Sequence, residues 1–129
     1  MTRGLSRIQC LRLLNTAAVG RVIVYHHSFP VVRPVPFRLF GDHILMPVRP
    51  GGRIATAAQS HAVLALQADR LDSAGIAGWS VVVTGIADVI NSDLAGAHGH
   101  GSWVPRGRST LLRLPVEDVI GRCGSVLWG

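Results

Sequence analysis

Trp79-Ser80-Val81-Val82-Val83-Thr84-Gly85-Ile86-Ala87-Asp88-Val89-Ile90 decides the fold class. It is the longest strand candidate in the chain, rich in β-branched residues, and both of its faces are largely apolar. A strand buried on both sides suits a closed barrel with helices packed outside it. Gly85, mid-strand, marks a bend or bulge at a barrel corner.

The sequence on either side fits that reading. Ala62 to Leu71 is a second strand, with Gln67 and Asp69 on one face, and Asp72 to Gly78 is the loop between the two. Arg21 to Tyr25 is a short β-branched strand in which Tyr25 is expected to pack in the core. His26 to Pro30 is the turn after it. The two histidines there would face opposite sides of a continued strand, so they do not share a metal. Val31 to Leu39 is the next strand. Pro34 and Pro36 have the same parity, so both missing N–H groups would have pointed to the same neighbour, and that side of the strand is open or irregular. Phe40 to His43 is a hairpin turn leading into Ile44-Leu45-Met46. Ser6 and Gln9 form a capping box for a first helix running from Arg7 to Ala17 and ending near Gly20, with Cys10 packed in its apolar stripe. Asn91 to Gly101 reads as a loop. Its His98-Gly99-His100 has no nearby Cys, Asp or Glu to complete a metal site. Thr110 to Leu114 is a strand, and Pro115 to Arg122 is a turn leading to a last short strand or tail. Six or seven strands with two or three short helices and no alternating βαβ units make a small, mostly antiparallel barrel.

Between two of these elements lies Val48-Arg49-Pro50-Gly51-Gly52-Arg53-Ile54, a strand-to-helix junction. Gly51 and Gly52 can take positive φ and let backbone N–H groups converge on one concavity. The helix that begins there adds its positive end. Arg49 and Arg53 flank the turn and can fork onto phosphate oxygens. The stretch reads as an anion seat, with a plain helix start bearing two solvated arginines as the alternative.

A chain of 129 residues is one domain, 1–129, and 48% hydrophobic residues with a mean hydropathy of +0.35 can fill its core. The formal charge is +6 and every basic residue is arginine. The arginines run from Arg3 to Arg122 without a block of like charge, and no stretch interleaves them with aromatics, which argues against a nucleic-acid partner. Cys10 and Cys123 are too far apart in sequence to make a metal motif or a disulfide framework. No apolar run reaches membrane-spanning length, and the expectation is a cytoplasmic protein without a membrane partner.

Several blocks together resemble the pyridoxamine 5′-phosphate oxidase-like, FMN-binding split-barrel family, in particular its short actinobacterial-type members. They are the entry from Cys10 to Gly20-Arg21, Arg33-Pro34-Val35-Pro36-Phe37 before Gly41-Asp42, Pro50-Gly51-Gly52-Arg53-Ile54, Asp69-Arg70-Leu71-Asp72, Gly78 to Gly85, Trp103 before Gly107-Arg108, and Pro115 before Ile120-Gly121-Arg122. The resemblance spans about Ser6 to Arg122. It implies a split β-barrel and a homodimer with flavin at the subunit interface. The phosphate would sit at the turn of Arg49, Gly51, Gly52 and Arg53, and the ring system against Pro34, Val35, Pro36 and Phe37. Trp103 and Arg108 match a segment that approaches the site, often from the partner subunit. Relatives bind FMN or a deazaflavin coenzyme, and some bind neither.

The chain departs from the family pattern where relatives commonly carry Arg-Thr and this one has Pro47-Val48. Val48 lacks a hydroxyl that would bond the phosphate, a contact of about 1.5–3 kcal/mol. Pro36 replaces an asparagine, and Arg53 a lysine. Arg49, in the same turn, is expected to compensate. The function implied is a flavin- or deazaflavin-dependent oxidoreductase of unknown substrate and catalytic residues, with the cofactor supplying the hydride chemistry. The alternatives are a flavin-binding or carrier module without turnover, and a dimer that has lost its cofactor.

Overall fold

The computed structural model describes residues 2–90 and 109–125. In chain order the elements are β1 (Thr2–Gly4), α1 (Arg7–Leu14), β2 (Val19–His26), β3 (Phe29–Pro36), β4 (Arg38–Phe40), β5 (His43–Val48), α2 (Arg53–Gln59), β6 (Val63–Leu71), β7 (Ala77–Ile86), β8 (Asp88–Ile90), β9 (Thr110–Pro115) and β10 (Asp118–Ser125). The strands form a six-stranded sheet in the order β1-β10-β7-β6-β2-β3 and a four-stranded sheet in the order β4-β5-β9-β8. Every ladder is antiparallel.

The fold is a split barrel, as expected, and the closed form is corrected. Two strands read as continuous in fact change sheets. The stretch from Trp79 to Ile90 breaks at Ala87, which is buried, so β7 lies in the larger sheet and β8 in the smaller. The stretch from Val31 to Leu39 breaks at Phe37, whose side chain is fully buried, so β3 and β4 part in the same way. Among the described residues ten strands replace six or seven, because β1, β4 and β8 are three-residue pieces, too short to leave a periodic pattern.

The inner faces of the two sheets meet in one core. Val22 and Val24 of β2, Leu64 and Leu66 of β6, and Val81 and Val83 of β7 face Ile44 and Met46 of β5 and Leu112 and Leu114 of β9. Helix α1 adds Cys10 and Leu14, and α2 adds Ile54, Ala55 and Ala58. The capping box on α1 forms as expected, Ser6 Oγ accepting from the Gln9 amide and Gln9 Oε1 from the Ser6 amide.

Three further expectations are corrected. Helix α1 stops at Leu14 rather than Ala17, because the Thr16 and Ala17 amides turn back to the Leu13 and Leu14 carbonyls in a tighter turn. Gly20 is no helix stop but a β2 residue, where a Cβ would come within 2.9 Å of Leu66 and 3.3 Å of Phe37. Tyr25 is not in the core. It takes the outer parity of β2, opposite to Val22 and Val24, and is 71% exposed. The last strand is eight residues long and sits between β1 and β7. Its glycines hide it in the sequence, yet Gly121 is required, because a Cβ there would lie 2.5 Å from Cys10 Sγ.

Candidate functional site

The split leaves a groove. Strand β3 ends the larger sheet, and no described strand pairs with its outer side. Its register against β2 sets Pro36 opposite Val19 and continues through the Phe37 amide, which donates to the Ala18 carbonyl at 3.1 Å. The odd-numbered amides of β3 therefore point to β2, and the even-numbered positions point outward. Pro30, Pro34 and Pro36 all fall on that outward set. On the facing side, the β4–β5 register pairs Arg38 with Leu45. Carried back, it would set Pro36 against Pro47, and neither residue has an N–H to donate. The strands separate where the ladder would otherwise zip.

The resulting cavity measures about 490 Å³ and is lined by Val31, Arg33, Pro34, Val35 and Pro36 of β3, by Pro47, Val48 and Arg49, and by Gly52, Arg53 and Ile54. Gly51, at the apex of the turn, has φ +71°, a conformation glycine adopts without strain. Gly52 does not share it. It is the N-cap of α2 at φ −74°, with no side-chain cap bond, and its amide donates to the Arg49 carbonyl at 3.2 Å. The amides of Arg53 and Ile54 that open the helix are left without a capping side chain.

The charge at the groove is one-sided. Arg33, Arg49 and Arg53 line it and, among the described residues, no carboxylate does. Arg33 Nη1 donates to the Val32 carbonyl at 2.9 Å, which holds its guanidinium against the edge of β3. Among the described residues the guanidinium groups of Arg49 and Arg53 have neither a hydrogen-bond partner nor an ion pair. The other lining residues are apolar apart from backbone. The groove can thus hold an anion at one place and an apolar plate beside it.

The structure brings seven of the expected site residues to this groove: Pro34, Val35, Pro36, Val48, Arg49, Gly52 and Arg53. Gly51 is in the same turn without lining the wall. Phe37 is misplaced by the sequence reading, since its ring faces the core and is fully buried. Trp103, Arg108, His98 and His100 lie outside the described residues. Arg33, Val31 and Ile54 line the groove without having been singled out as site residues. Strand parity alone could have found Arg33, because it stands two residues from Val35 on the same side. No group of three or more metal-ligating side chains occurs among the described residues.

The model of the pyridoxamine 5′-phosphate oxidase family matches residues 6–122. The chain belongs to that family. An uncharacterized protein of Mycobacterium tuberculosis is 31% identical over 124 residues, covering 91% of this chain and 82% of its own. Among solved structures, an FAD-binding protein from Mycobacterium smegmatis superposes with a TM-score of 0.75 at 22% identity, covering 96% of this chain and 99% of that one. An FAD-binding protein from Mesorhizobium loti superposes with a TM-score of 0.74 at 21% identity, covering 95% and 97%. These two likenesses establish the shared fold of this family member.

Proposed function

We propose that the groove binds a flavin nucleotide, FMN in the first instance, and that the protein acts as an oxidoreductase in homodimeric form. The observation that carries this reading is the pair of guanidinium groups of Arg49 and Arg53, without a partner among the described residues, lining a groove whose other side chains are apolar except Arg33. A phosphate would accept from them and from the opening amides of α2, with Arg33 adding charge from the opposite wall. Pro34, Val35, Pro36 and Val48 would pack against the planar ring system and keep water from it. Bound there, the cofactor would supply hydride transfer to or from a substrate. The residues fit the group: the walls are apolar where the ring needs them and cationic where the phosphate does. The flavin named for the two solved neighbours supports the class of ligand.

The outer face of the larger sheet supports the homodimer. Ile23 and Tyr25 of β2, Val32 of β3, Val63 of β6, Val82 and Ile86 of β7 and Ile120 of β10 share that face by parity and register, and Tyr25, Val32, Val63, Ile86 and Ile120 are exposed. The charged residues on it, Arg21, Asp69, Asp118 and Arg122, balance to zero although the chain as a whole is strongly basic. A balanced apolar face suits a second copy better than a polyanion. No helix among the described residues is long and apolar enough to cross a membrane. Two free thiols suit the reducing cytoplasm, where we place the protein.

A second reading, carriage of flavin without turnover, is favoured by one observation: no described residue of the groove is an acid, a base or a nucleophile. Titration of the purified protein with FMN, followed by flavin fluorescence, tests binding. Reduction of the bound cofactor by a nicotinamide and reoxidation by an added acceptor separate catalysis from carriage. Absence of binding would overturn both readings.

A further inference from the structure

We infer that a second cavity, at the border of the larger sheet opposite the flavin groove, binds an amphiphilic anion: an alkyl chain ending in a carboxylate. The groove lies beside β3, at one end of the strand order, and this cavity lies beside β1 and β10 at the other. The two share no lining residue, and the inference stands apart from the flavin reading.

The cavity follows from register and helix spacing. Arg3, Cys123 and Trp79 lie in one row across β1, β10 and β7, and therefore present their side chains to the same face of the sheet. That face carries α1, because Gly121, two residues before Cys123, lies so close to Cys10 of the helix that a Cβ would come within 2.5 Å of its sulfur. Gln9, Arg12 and Leu13, at i, i+3 and i+4, look onto the row from the helix side. Between row and helix is a cavity of about 310 Å³, walled also by Leu5 from the link between β1 and α1.

Its walls are amphiphilic. Leu5, Leu13 and Trp79 each pack against the core on one side and line the cavity on another. Arg3 and Arg12 supply charge, and no carboxylate lines the cavity among the described residues. Arg3 Nε donates to Cys123 Sγ at 3.0 Å, which holds the guanidinium over the row and leaves its Nη groups without a partner among the described residues. The Arg12 guanidinium has no partner among them at all. Two cations without a counter-charge beside an apolar wall complement a molecule that is apolar along its length and anionic at one end. The volume is near the lower end for small-molecule sites, about 300–1,000 Å³, which suits an acyl chain of medium length.

Calorimetric titration of the full-length protein with octanoate tests the inference, with hexanoate and octylamine for comparison. The wild type is expected to bind one octanoate per chain and to reject octylamine. Each methylene lost should weaken binding about fourfold, so hexanoate should bind roughly 15-fold more weakly. Arg3→Gln and Arg12→Gln should each weaken octanoate about tenfold. Arg12 has no described contact to lose, so Arg12→Gln should melt with the wild type. Saturating octanoate should slow the reaction of Cys123 with a thiol-specific disulfide reagent, which localises the ligand. The flavin groove is also cationic and apolar, and Arg49→Ala separates the two sites: it should leave octanoate affinity unchanged, as Arg12→Gln should leave FMN affinity. No octanoate binding, octylamine bound equally well, loss in Arg49→Ala in place of Arg12→Gln, or an unprotected Cys123 at saturation would overturn the site. Binding that emerges only after removal of residues 126–129 would assign the cavity to the chain itself and overturn it too. A protein that binds octanoate in this pattern but not FMN keeps the cavity and loses the flavin reading.

Discussion

Arg49 and Arg53 stand on either side of one glycine turn, line the same groove, and direct their guanidinium groups to no partner among the described residues. Unpaired like charges repel, so the pair costs stability unless an anion joins them. A charge-assisted hydrogen bond contributes about 1.5–3 kcal/mol. Arg49→Ala and Arg53→Ala should therefore each weaken FMN binding by about 10- to 100-fold, read by fluorescence titration, with the melting temperature of the ligand-free protein unchanged or slightly raised. An Arg49→Ala variant that binds FMN as well as the wild type would show that Arg49 does not stand in for the polar side chains that Pro47 and Val48 lack.

Val48 is buried in the groove wall, only 7% exposed. Val48→Thr places a hydroxyl beside the turn without changing shape. It should tighten FMN binding by about tenfold. The ligand-free variant should lose roughly 1–2 kcal/mol, since the hydroxyl then lies against apolar neighbours. Titration and a thermal melt on the same preparation give both signs.

The two thiols should differ sharply in reactivity. Burial pushes the Cys10 thiol up from its ordinary pKa, and its side chain is almost wholly enclosed. Cys123 is half-buried, with Arg3 Nε donating to its sulfur at 3.0 Å. A thiol-specific disulfide reagent at neutral pH should titrate one cysteine quickly, and the second only as the protein unfolds. Peptide mapping should assign the fast one to Cys123.

Gly121→Ala tests the packing of α1 on β10. The added methyl would meet Cys10 Sγ at 2.5 Å and Leu5 Cδ1 at 3.0 Å. Overpacking of this kind costs about 1–3 kcal/mol. Cys10→Ala in the same chain should return part of the loss, and a double-mutant cycle by denaturant unfolding measures how much.

Asp72 gives a pH-dependent effect. The Ile76 amide donates to its Oδ1 at 2.9 Å, and this bond chiefly holds its pKa below the ordinary 3.8, with smaller help from the amides of Ala77, Gly75 and Ala74. A carboxyl whose pKa is lowered on folding stabilises the fold above its unfolded pKa and loses that contribution as pH falls through the folded one. Asp72→Ala should therefore melt below the wild type at neutral pH. The gap should begin to close below pH 3.8 and vanish once the native carboxyl is protonated. Thermal melts across that range follow it.

Much of the larger sheet was legible because its inner residues alternate cleanly: Leu64, Leu66 and Ala68 on β6 and Val81 and Val83 on β7 are all buried. The turn from Arg49 to Arg53 was legible from its glycines and flanking arginines. The sheet changes at Phe37 and Ala87 were not, since a strand that bends from one layer to another stays apolar through the bend and keeps its propensity. Phe37 falls among the expected site residues for that reason, because a linear pattern does not reveal on which side of a bend a ring falls. Tyr25 misleads in the opposite way. Aromatic residues suggest a core, but strand parity decides which layer they join.

The prolines of β3 have a consequence beyond the groove. A sheet border with free donors is a template on which a foreign strand can assemble, and long flat borders seed aggregation. Pro30, Pro34 and Pro36 leave Val32 as the sole donor on that border, and the Arg33 guanidinium already occupies the carbonyl of the same residue. The imino rings that keep this margin from zipping to its neighbour also close it to strangers.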